Sequence, residues 1–364
     1  MRRFLSAVDR NYSLVIMFDN ASSTSVKRSE GQRPLVDNSR TATARAHSNI
    51  AFVKYWGNCD HRLRLPANSS ISMNLSALHT TTTVDWNGRL DADQLTINGI
   101  AAGEGALGRA RDHLDALRRR FGVNAFASVT SRNNFPMGTG IASSASAFAA
   151  LTAAAAAAAR FELPEREMSA LARLGSGSAA RSVPAGYVEW HAGSSHETSF
   201  AESFAPPQHW NLVDVIAIVS REHKQVGSSA GHETAASSAL QPARVASAPA
   251  RCDAVKSAIL RRDFDHFASV VEEDSNLMHA VMMTSQPPLF YWDPLSLVIM
   301  KAVRRWRQQE GIPVCYTLDA GPNVHCICLA SEADAVSGRL LALSEGIDVM
   351  QSGVGAGACV LPPV

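Results

Sequence analysis

The alternation of apolar and polar residues predicts several β-strands in the first third of the chain. Residues 50–53 form a short apolar run and residues 80–86 are rich in β-branched side chains, so both are predicted to be strands. The Asn87-Gly88 pair then predicts a tight turn that leads into residues 94–98. We therefore predict antiparallel pairing between the segments on either side of this turn.

Other segments repeat their apolar residues every three or four positions, as one face of a helix does. This spacing over residues 107–121 predicts an amphipathic helix. Residues 143–160 are almost all helix formers, and nine of the last twelve are alanine, so this helix can pack very close to a sheet. The remaining predictions are helices over 165–174, 250–274 and 294–309, and strands over 123–130, 187–190, 213–219, 314–318 and 325–329.

Strands and helices mix without a regular βαβ rhythm, which favours the α+β class. A length of 364 residues is sufficient for two domains, each with its own core. Residues 20–40 are rich in Ser, Asn, Arg and Asp, and they bury too little apolar surface to offset the entropy of ordering. We predict a mobile extension over residues 1–40, an N-terminal domain over 41–210 and a C-terminal domain over 211–364.

Charge and composition limit the classes of partner. Lys and Arg number 34 and Asp and Glu 33, so no overall field attracts nucleic acid or an anionic membrane, and an anionic ligand must be held by local groups. The apolar stretch around 153–159 is too short to cross a bilayer, and the N-terminus lacks a secretory pattern. We expect a cytoplasmic protein that binds neither membrane nor nucleic acid. The six cysteines are scattered without Cys-x2-Cys pairs, which predicts reduced, mostly buried thiols.

The segment Pro136-Met137-Gly138-Thr139-Gly140-Ile141-Ala142-Ser143-Ser144-Ala145 opens directly into the alanine helix. Glycines allow a close backbone approach to an anion, and the unpaired N–H groups at a helix start point toward it. The segment therefore predicts a phosphate-binding loop, although a simple Ser N-cap after a loop also fits it. It has neither the Gly-Lys-Ser/Thr ending of a Walker loop nor a Rossmann fingerprint.

Three further motifs carry candidate chemistry. Residues 49–57 place Lys54 and Tyr55 at the end of a predicted strand, where a solvated lysine is the simpler alternative. Residues 175–181 combine two serines with an arginine that can bind a carboxylate or phosphate, or they form a flexible linker. Residues 319–323 place Asp319 just after a predicted strand, in what is otherwise an ordinary turn.

In order along the chain, these motifs, with the Asn68-Ser69-Ser70-Ile71-Ser72 run and Tyr187-Val188-Glu189-Trp190, resemble the GHMP kinase superfamily. Within it, the similarity is to the mevalonate diphosphate decarboxylases, and it covers the chain from about residue 44 to the C-terminus. The resemblance implies a two-domain GHMP kinase fold. It consists of an N-terminal domain like ribosomal protein S5 domain 2 and a ferredoxin-like C-terminal domain, with the active site in the cleft between them.

The resemblance also implies the chemistry and its residues. In that family ATP phosphorylates a tertiary 3-hydroxyl, and the new phosphate leaves as the neighbouring carboxylate loses carbon dioxide. Asp319 would orient or deprotonate the hydroxyl, Lys54 would keep that carboxylate ionised, and Arg181 would bind the substrate carboxylate. ATP and Mg²⁺ are implied, PLP and biotin are not, and a homodimer is usual. The implied substrate-binding residues are Asn49, Tyr55, Asn58, Ser176, Ser178 and Ser228; the ATP-binding residues are Gly138, Gly140, Ala142, Ser143 and Ser144, with Ser144 also at the metal.

Position 58 departs from the family pattern. Diphosphate-using members commonly read Lys-Tyr-Trp-Gly-Lys, and the second lysine is Asn58 here. Losing one charge-assisted contact to a phosphate weakens its binding by roughly 1.5 to 3 kcal/mol. His79 also stands where some relatives have a basic residue. These changes favour 5-phosphomevalonate as substrate and isopentenyl phosphate as product. The alternative is diphosphomevalonate, with His61, Arg62, Arg64 or Lys224 replacing the lysine.

Three other functions are compatible with this fold. A mevalonate 3-kinase is expected to have lost the aspartate, and Asp319 is present. A non-catalytic binding paralogue should show decay in the phosphate loop or at Lys54, and neither is seen. A sugar or homoserine kinase of the superfamily would form ADP without carbon dioxide.

Overall fold

The structure is a computed structural model that describes residues 40–135, 143–221 and 227–362. The predicted N-terminal extension therefore lies, except for Arg40, outside the described residues. From Arg40 onward the chain belongs to one compact unit. None of the described helices is both long and apolar enough to cross a membrane.

The elements follow the predicted mixture of strands and helices. The strands are β1 (Thr41–Val53), β2 (Asn58–Asp60), β3 (Leu65–Pro66), β4 (Ser70–Asn87), β5 (Gln94–Ile97), β6 (Ile100–Ala101), β7 (Phe126–Asn133), β8 (Tyr187–Trp190), β9 (Ala201–Ala205), β10 (Leu212–Ile218), β11 (Val314–Thr317), β12 (Val324–Leu329), β13 (Asp348–Gly353) and β14 (Cys359–Val360). The helices are α1 (Glu104–Phe121), α2 (Ser143–Ala158), α3 (Glu165–Gly175), α4 (Ser228–Thr234), α5 (Gln241–Arg261), α6 (Phe264–Thr284), α7 (Pro294–Glu310) and α8 (Ala333–Leu341).

The first sheet has the order β14-β1-β4-β7-β5-β6, and β8 and β9 extend it beside β4. In the second half of β4 buried and half-buried positions alternate, as expected where the two faces of a strand differ. The alanine-rich α2 packs on the buried face, and the indole Nε1 of Trp86 donates to the carbonyl of Ala155 at 3.0 Å. Methyl-sized side chains permit this close approach of helix and strand.

The predicted hairpin after Asn87-Gly88 is wrong. The turn is present, with the N–H of Leu90 donating to the carbonyl of Asn87, but β5 pairs in parallel with β7 and not with β4. Both edges of β4 are already occupied in this region, by β1 on one side and β7 on the other. The chain must therefore pass to the outer edge of β7, which the local turn pattern does not reveal.

The predicted helix over 250–274 is also wrong, because two helices occupy this region. Arg262 adopts φ 58°, and Asp263 then caps α6 by accepting a hydrogen bond from the N–H of His266 at 3.1 Å. No Gly or Pro marks this break. The available signal for a new helix start was Asp263, a residue type that commonly caps helices, followed by a new apolar period.

The second sheet is antiparallel, with the order β11-β12-β10-β13. Helices α7 and α8 cover one of its faces, with Trp306 in their shared core. Helices α5 and α6 lie between the two sheets, where Phe267 and Val255 pack with residues of both. The end of β1 and the end of β11 thus meet beside α6. Four of the six cysteines are buried, which confirms that prediction for the thiols.

Candidate active site

A buried ion pair joins the two halves of the chain. Lys54 directly follows β1 and is 1% exposed, and its Nζ lies 2.6 Å from Oδ1 of Asp319, which follows β11. The Asp319 side chain keeps 25% of its surface exposed. A carboxylate that is held by an ammonium and still open to solvent can act on a small molecule that enters beside it.

The electrostatic environment keeps Asp319 ionised. Burial by itself would raise the pKa of Asp319, but Lys54, with His325 and Arg181, holds it below its usual value. Burial lowers the pKa of Lys54, and the carboxylates of Asp319 and Asp274 oppose that change. Burial, together with the charge of Lys54, lowers the pKa of the adjacent His279 to about 3, so this imidazole is neutral at physiological pH.

Three buried charged residues, which we call the Lys54 clamp, fix the backbone of this lysine: Arg244, Arg251 and Asp274. The Lys54 N–H donates to Oδ2 of Asp274 at 2.6 Å, and Nη2 of Arg244 donates to the Lys54 carbonyl at 2.7 Å. Nε of Arg251 donates to the other Asp274 oxygen at 2.7 Å. The clamp holds Lys54 in one conformation.

Sequence reasoning missed the Lys54 clamp, although a signal existed. Arg251 lies four and eight residues before the buried Val255 and Ile259, so it shares their helix face. A charged residue on the apolar face of a helix requires a buried partner. Asp274, on the next helix, is that partner and is fully buried.

Arg181 forms a second cationic centre near Asp319. Its guanidinium is 4% exposed, and it donates to Oδ1 of Asn49 at 3.2 Å and to the hydroxyl of Ser70 at 2.9 Å. Burial lowers its pKa to about 10, which leaves it protonated at neutral pH. Within the described part of the chain it forms no ion pair. Asn49 is held in turn, since it donates to Oγ of Ser182 at 2.7 Å.

The hydroxyls predicted to bind substrate, those of Ser176 and Ser178, lie together with that of Ser144, which is predicted to bind ATP and magnesium. The Oγ atoms of Ser144 and Ser176 are 3.1 Å apart, and those of Ser176 and Ser178 are 3.4 Å apart. The segment for which a flexible linker was the alternative interpretation contains a 3-10 helix, Gly177–Ser182, that follows α3. A Cβ at Gly177 would lie 2.6 Å from the Tyr55 ring, so glycine is required there. The start of α2 and this loop thus present hydroxyls to one place.

Tyr55 and Asn58 form the side of the site nearest the turn after β1. The Tyr55 hydroxyl donates to Oδ1 of Asn58 at 2.5 Å, and burial raises its pKa to about 12, so it stays a neutral donor. His232, which sequence reasoning missed, stacks on Tyr55 at 4.1 Å between centroids and accepts the Gly57 N–H on Nδ1 at 2.9 Å. No motif surrounds His232, and α4 has seven residues, so the sequence carried no signal for it.

The predicted phosphate loop is described only in part. Gly138, Gly140 and Ala142 lie outside the described residues, whereas Ser143 and Ser144 begin α2, whose first turn contains no acidic residue. A helix start without acidic side chains favours an anion. Ser228 begins α4, and its side chain is outside the described part of the structure.

The same region fits a magnesium ion held chiefly by nucleotide phosphates. Residues 40–135, 143–221 and 227–362 contain no group of three His, Cys, Asp or Glu side chains that would bind a metal by themselves. Mg²⁺ usually keeps several waters and takes few protein ligands beside substrate phosphates. The hydroxyl of Ser144 at the start of α2 is a suitable single ligand.

His79, where some relatives have a basic residue, carries no charge in this structure at physiological pH. Its ring contacts His47 at 5.9 Å between centroids, and its backbone N–H donates to Asn134. Burial, helped by Arg45 and His47, lowers its pKa, so it is neutral at physiological pH. Of the residues named as possible replacements for the lysine at position 58, His61 and Arg62 are exposed, and Lys224 lies outside the described residues.

Comparison with known families matches nearly all of the described chain. The diphosphomevalonate decarboxylase-like N-terminal domain matches residues 46–201, and the mevalonate 5-diphosphate decarboxylase C-terminal domain matches residues 214–354. The diphosphomevalonate decarboxylase of Aspergillus fumigatus is 39% identical over 334 residues, which cover 84% of this chain and 82% of that protein. That of Candida albicans is 40% identical, with 78% of this chain and 83% of that protein covered.

Solved structures agree with the sequence comparison. The protein named MDDEF, in complex with MVAPP, AMPPCP and magnesium, is 34% identical with a TM-score of 0.83, and the match covers 89% of this chain and 99% of that one. The mevalonate diphosphate decarboxylase of Staphylococcus aureus is also 34% identical, with a TM-score of 0.83 and coverage of 88% and 98%. The likeness confirms the predicted α+β, two-domain GHMP kinase fold.

Proposed function

The chain belongs to the mevalonate diphosphate decarboxylase family, and we propose on this premise that it converts diphosphomevalonate and ATP into isopentenyl diphosphate, carbon dioxide, ADP and phosphate. Membership makes it an ATP-dependent decarboxylase. The observation that supports the proposal most is the buried Lys54–Asp319 pair, 2.6 Å long, beside Arg181 and the serine hydroxyls.

The proposed substrate replaces the monophosphate that the sequence favoured. That preference for 5-phosphomevalonate and isopentenyl phosphate rested on Asn58 and His79, but the relatives named above are diphosphomevalonate decarboxylases. In the structure Asn58 also makes a contact of its own, because its Oδ1 accepts a hydrogen bond from the Tyr55 hydroxyl. The alternative reading, with the diphosphate as substrate, is therefore the one we propose.

Asp319 acts first in the proposed reaction. Its carboxylate is ionised, so it can accept the proton of the substrate 3-hydroxyl as that oxygen attacks the terminal phosphorus of ATP. Lys54 keeps the carboxylate ionised while negative phosphates lie close by, and the Lys54 clamp fixes its position. Phosphoryl transfer needs mainly positioning and charge neutralisation, which this arrangement supplies.

Arg181 acts in the second step. It binds the substrate carboxylate through a guanidinium that is otherwise bonded only to neutral groups of the described chain. When the 3-phosphate leaves with the electrons of its C–O bond, the electrons of the bond to the carboxylate form the alkene, and carbon dioxide departs. Departure of phosphate draws these electrons, so no electron-sink cofactor is required.

The serine hydroxyls and the start of α2 hold the phosphates. Ser143 and Ser144 would bind the phosphates of ATP together with the backbone N–H groups of the first turn of α2. Ser144 would also contact magnesium. Magnesium, when bound, neutralises the charge on the transferred phosphoryl group. Ser176 and Ser178 donate hydrogen bonds to the phosphates of the substrate, and Tyr55 joins them when its hydroxyl turns from Oδ1 of Asn58 to a phosphate oxygen. Asn49 orients Arg181 in the pocket.

Product analysis with three substrates tests this proposal. We expect carbon dioxide and ADP in equal amounts from diphosphomevalonate, with a higher kcat/KM than from 5-phosphomevalonate and little turnover of mevalonate. A higher kcat/KM for the monophosphate would overturn the proposed substrate. ADP without carbon dioxide would indicate a 3-kinase or a sugar or homoserine kinase, and neither product would indicate a binding paralogue.

The pH dependence of a Lys54→Met variant tests the role of the ion pair. Lys54 lowers the pKa of Asp319, so in the wild-type protein this carboxyl stays ionised to below its ordinary pKa. Without Lys54 burial dominates and the pKa rises, so we expect the acid limb of kcat/KM to move to higher pH. In the wild type the lowered pKa means that the ionised carboxylate stabilises the fold above its unfolded pKa, whereas in the variant the raised pKa means that ionisation destabilises it, so the stability lost in Lys54→Met should be larger at neutral pH than at low pH.

Lys301→Met is the matched control, because this lysine is exposed on α7. It should leave the pH profile unchanged. An acid limb at the same pH in wild type and Lys54→Met would mean that Asp319 is not the group that limits the rate at low pH.

Several expectations stay predictions. They are the domain boundary near residue 210, the cytoplasmic location and the homodimer. Sedimentation or light scattering of the purified protein measures the last of these directly.

A further inference from the structure

Arg64 is a partly buried cation at the turn between β2 and β3, next to the proposed substrate site. Its Nε donates to the carbonyl of Leu174 at 2.9 Å. Leu174 lies near the end of α3, directly before Gly175 and Ser176. The guanidinium is therefore held at the edge of the loop that carries the substrate-binding serines.

The charge of Arg64 acts on the same point as Asn58. Burial raises the pKa of Tyr55 to about 12, and Arg64 opposes this more than any other neighbouring charge does. The Tyr55 hydroxyl, in turn, donates to Asn58 at 2.5 Å. Arg64 thus acts on the hydroxyl that is bonded to the side chain at position 58, where diphosphate-using relatives commonly have a lysine.

Arg64 has no acidic partner in the described chain. No carboxylate of residues 40–135, 143–221 and 227–362 lies within ion-pair distance of it. After burial, the charge of Arg64 is the cause that lowers the pKa of both Arg109 and His113, and His113 is neutral with a pKa of about 3. A guanidinium without a counter-ion, with a second arginine nearby, attracts an anion.

The backbone of Arg64 is also unusual. Its φ is 50°, in the left-handed region that residues other than glycine seldom adopt. Two of the other residues of this kind, Arg160 and Arg262, follow the ends of α2 and α5, where a left-handed residue commonly ends a helix. Arg64 follows no helix. Uncommon backbone conformations of this type occur frequently at ligand-binding sites.

We propose that Arg64 binds the terminal phosphate of the substrate diphosphate and so selects the diphosphate over the monophosphate. The inference rests on the proposed function and assigns to Arg64 the charge that Asn58 lacks. A guanidinium suits this role because it can form two parallel hydrogen bonds to one phosphate.

The test compares Arg64→Asn with Arg62→Asn. Asparagine tolerates a positive φ, so the first variant removes the guanidinium and keeps the turn. Arg62 is exposed in the same turn and provides a matched loss of charge. We expect Arg64→Asn to reduce kcat/KM for diphosphomevalonate about ten- to hundredfold, mainly through KM, and that for 5-phosphomevalonate less than about threefold. Arg62→Asn should leave both values near wild type.

Two further measurements separate this role from a structural one. Inorganic pyrophosphate, titrated calorimetrically into each protein, should bind at least about tenfold more weakly to Arg64→Asn than to Arg62→Asn, and Arg64→Lys should recover part of the loss. Arg64→Gly, which also accepts a positive φ, serves as a second removal variant. An equal loss for both substrates, or unchanged pyrophosphate binding, would mean that Arg64 only ties the turn to α3 and would overturn the inference.

Failure of the proposed function would look different. In that case the wild-type protein itself would either not decarboxylate diphosphomevalonate or show a higher kcat/KM for 5-phosphomevalonate. If the wild type is active and its preference for the diphosphate survives in Arg64→Asn, the inference about Arg64 alone is refuted.

Discussion

Replacing Asp319 by asparagine should lower kcat by at least about a hundredfold, and as much as ten-thousandfold, while ATP binds almost as before. The amide keeps the shape of the side chain but cannot accept the proton of the 3-hydroxyl. The start of α2, where we place the ATP phosphates, does not depend on this carboxylate. Single-turnover assays of ADP and carbon dioxide, with calorimetric titration of a non-hydrolysable ATP analogue, measure both effects.

Asp348→Asn is the control for this substitution, because Asp348, on β13, forms an exposed ion pair with Arg221. Its kcat should equal that of the wild type within a factor of about two. If Asp319→Asn retained more than about a tenth of the wild-type rate, another group would have to be the base.

The largest effect on stability is expected from Asp274→Ala. Asp274 is fully buried and accepts from Nε of Arg251 at 2.7 Å and from the Lys54 N–H at 2.6 Å. Its removal leaves a buried guanidinium and a buried N–H without their acceptor, which costs about 3–5 kcal/mol. Denaturant unfolding and thermal melting should show this loss, and kcat should fall too, because Lys54 loses its backbone support.

Asp348→Ala provides the comparison for stability. Its ion pair with Arg221 is solvent-exposed on both sides, with 61% and 64% of the two side chains accessible. Pairs of this kind contribute about 0–1 kcal/mol. Equal destabilisation by the two substitutions would show that the Lys54 clamp does not support the fold.

The sequence predicted the candidate site residues best where a reactive side chain lies at the end of a strand or at the start of a helix. Lys54 after β1 and Ser143 at the start of α2 were found because a strand or helix pattern stops there and an unusual residue follows. These positions depend on local periodicity, which a single sequence records. Their meeting with Asp319, 265 residues away from Lys54, required the family resemblance, since no local pattern encodes a contact across two sheets.

Most of the features that sequence reasoning missed depend on non-local packing. The parallel pairing of β5 follows from the occupation of both edges of β4, and edge occupancy is not visible from a turn. The break between α5 and α6 falls at Arg262, a residue with no marked tendency to end a helix. His232 contacts Tyr55 because a distant short helix folds over the β1 turn. The pairing of β5 and the position of His232 depend on which surfaces are left free once the sheets have formed, whereas the helix break is marked locally by the cap at Asp263.

The alanine-rich side chains of α2 determine how close the first turn of this helix lies to the first sheet. Twelve of its sixteen residues are buried, and a bond of 3.0 Å ties the Ala155 carbonyl to the Trp86 indole on the sheet. Methyl groups thus determine how deep the first turn of α2, with Ser143 and Ser144, sits relative to the strands that end at Lys54. Even one additional carbon atom on the sheet-facing side would push that turn outward, away from the ammonium. The distance between the proposed nucleotide site and Asp319 therefore depends on apolar side chains of α2 that contact neither of them.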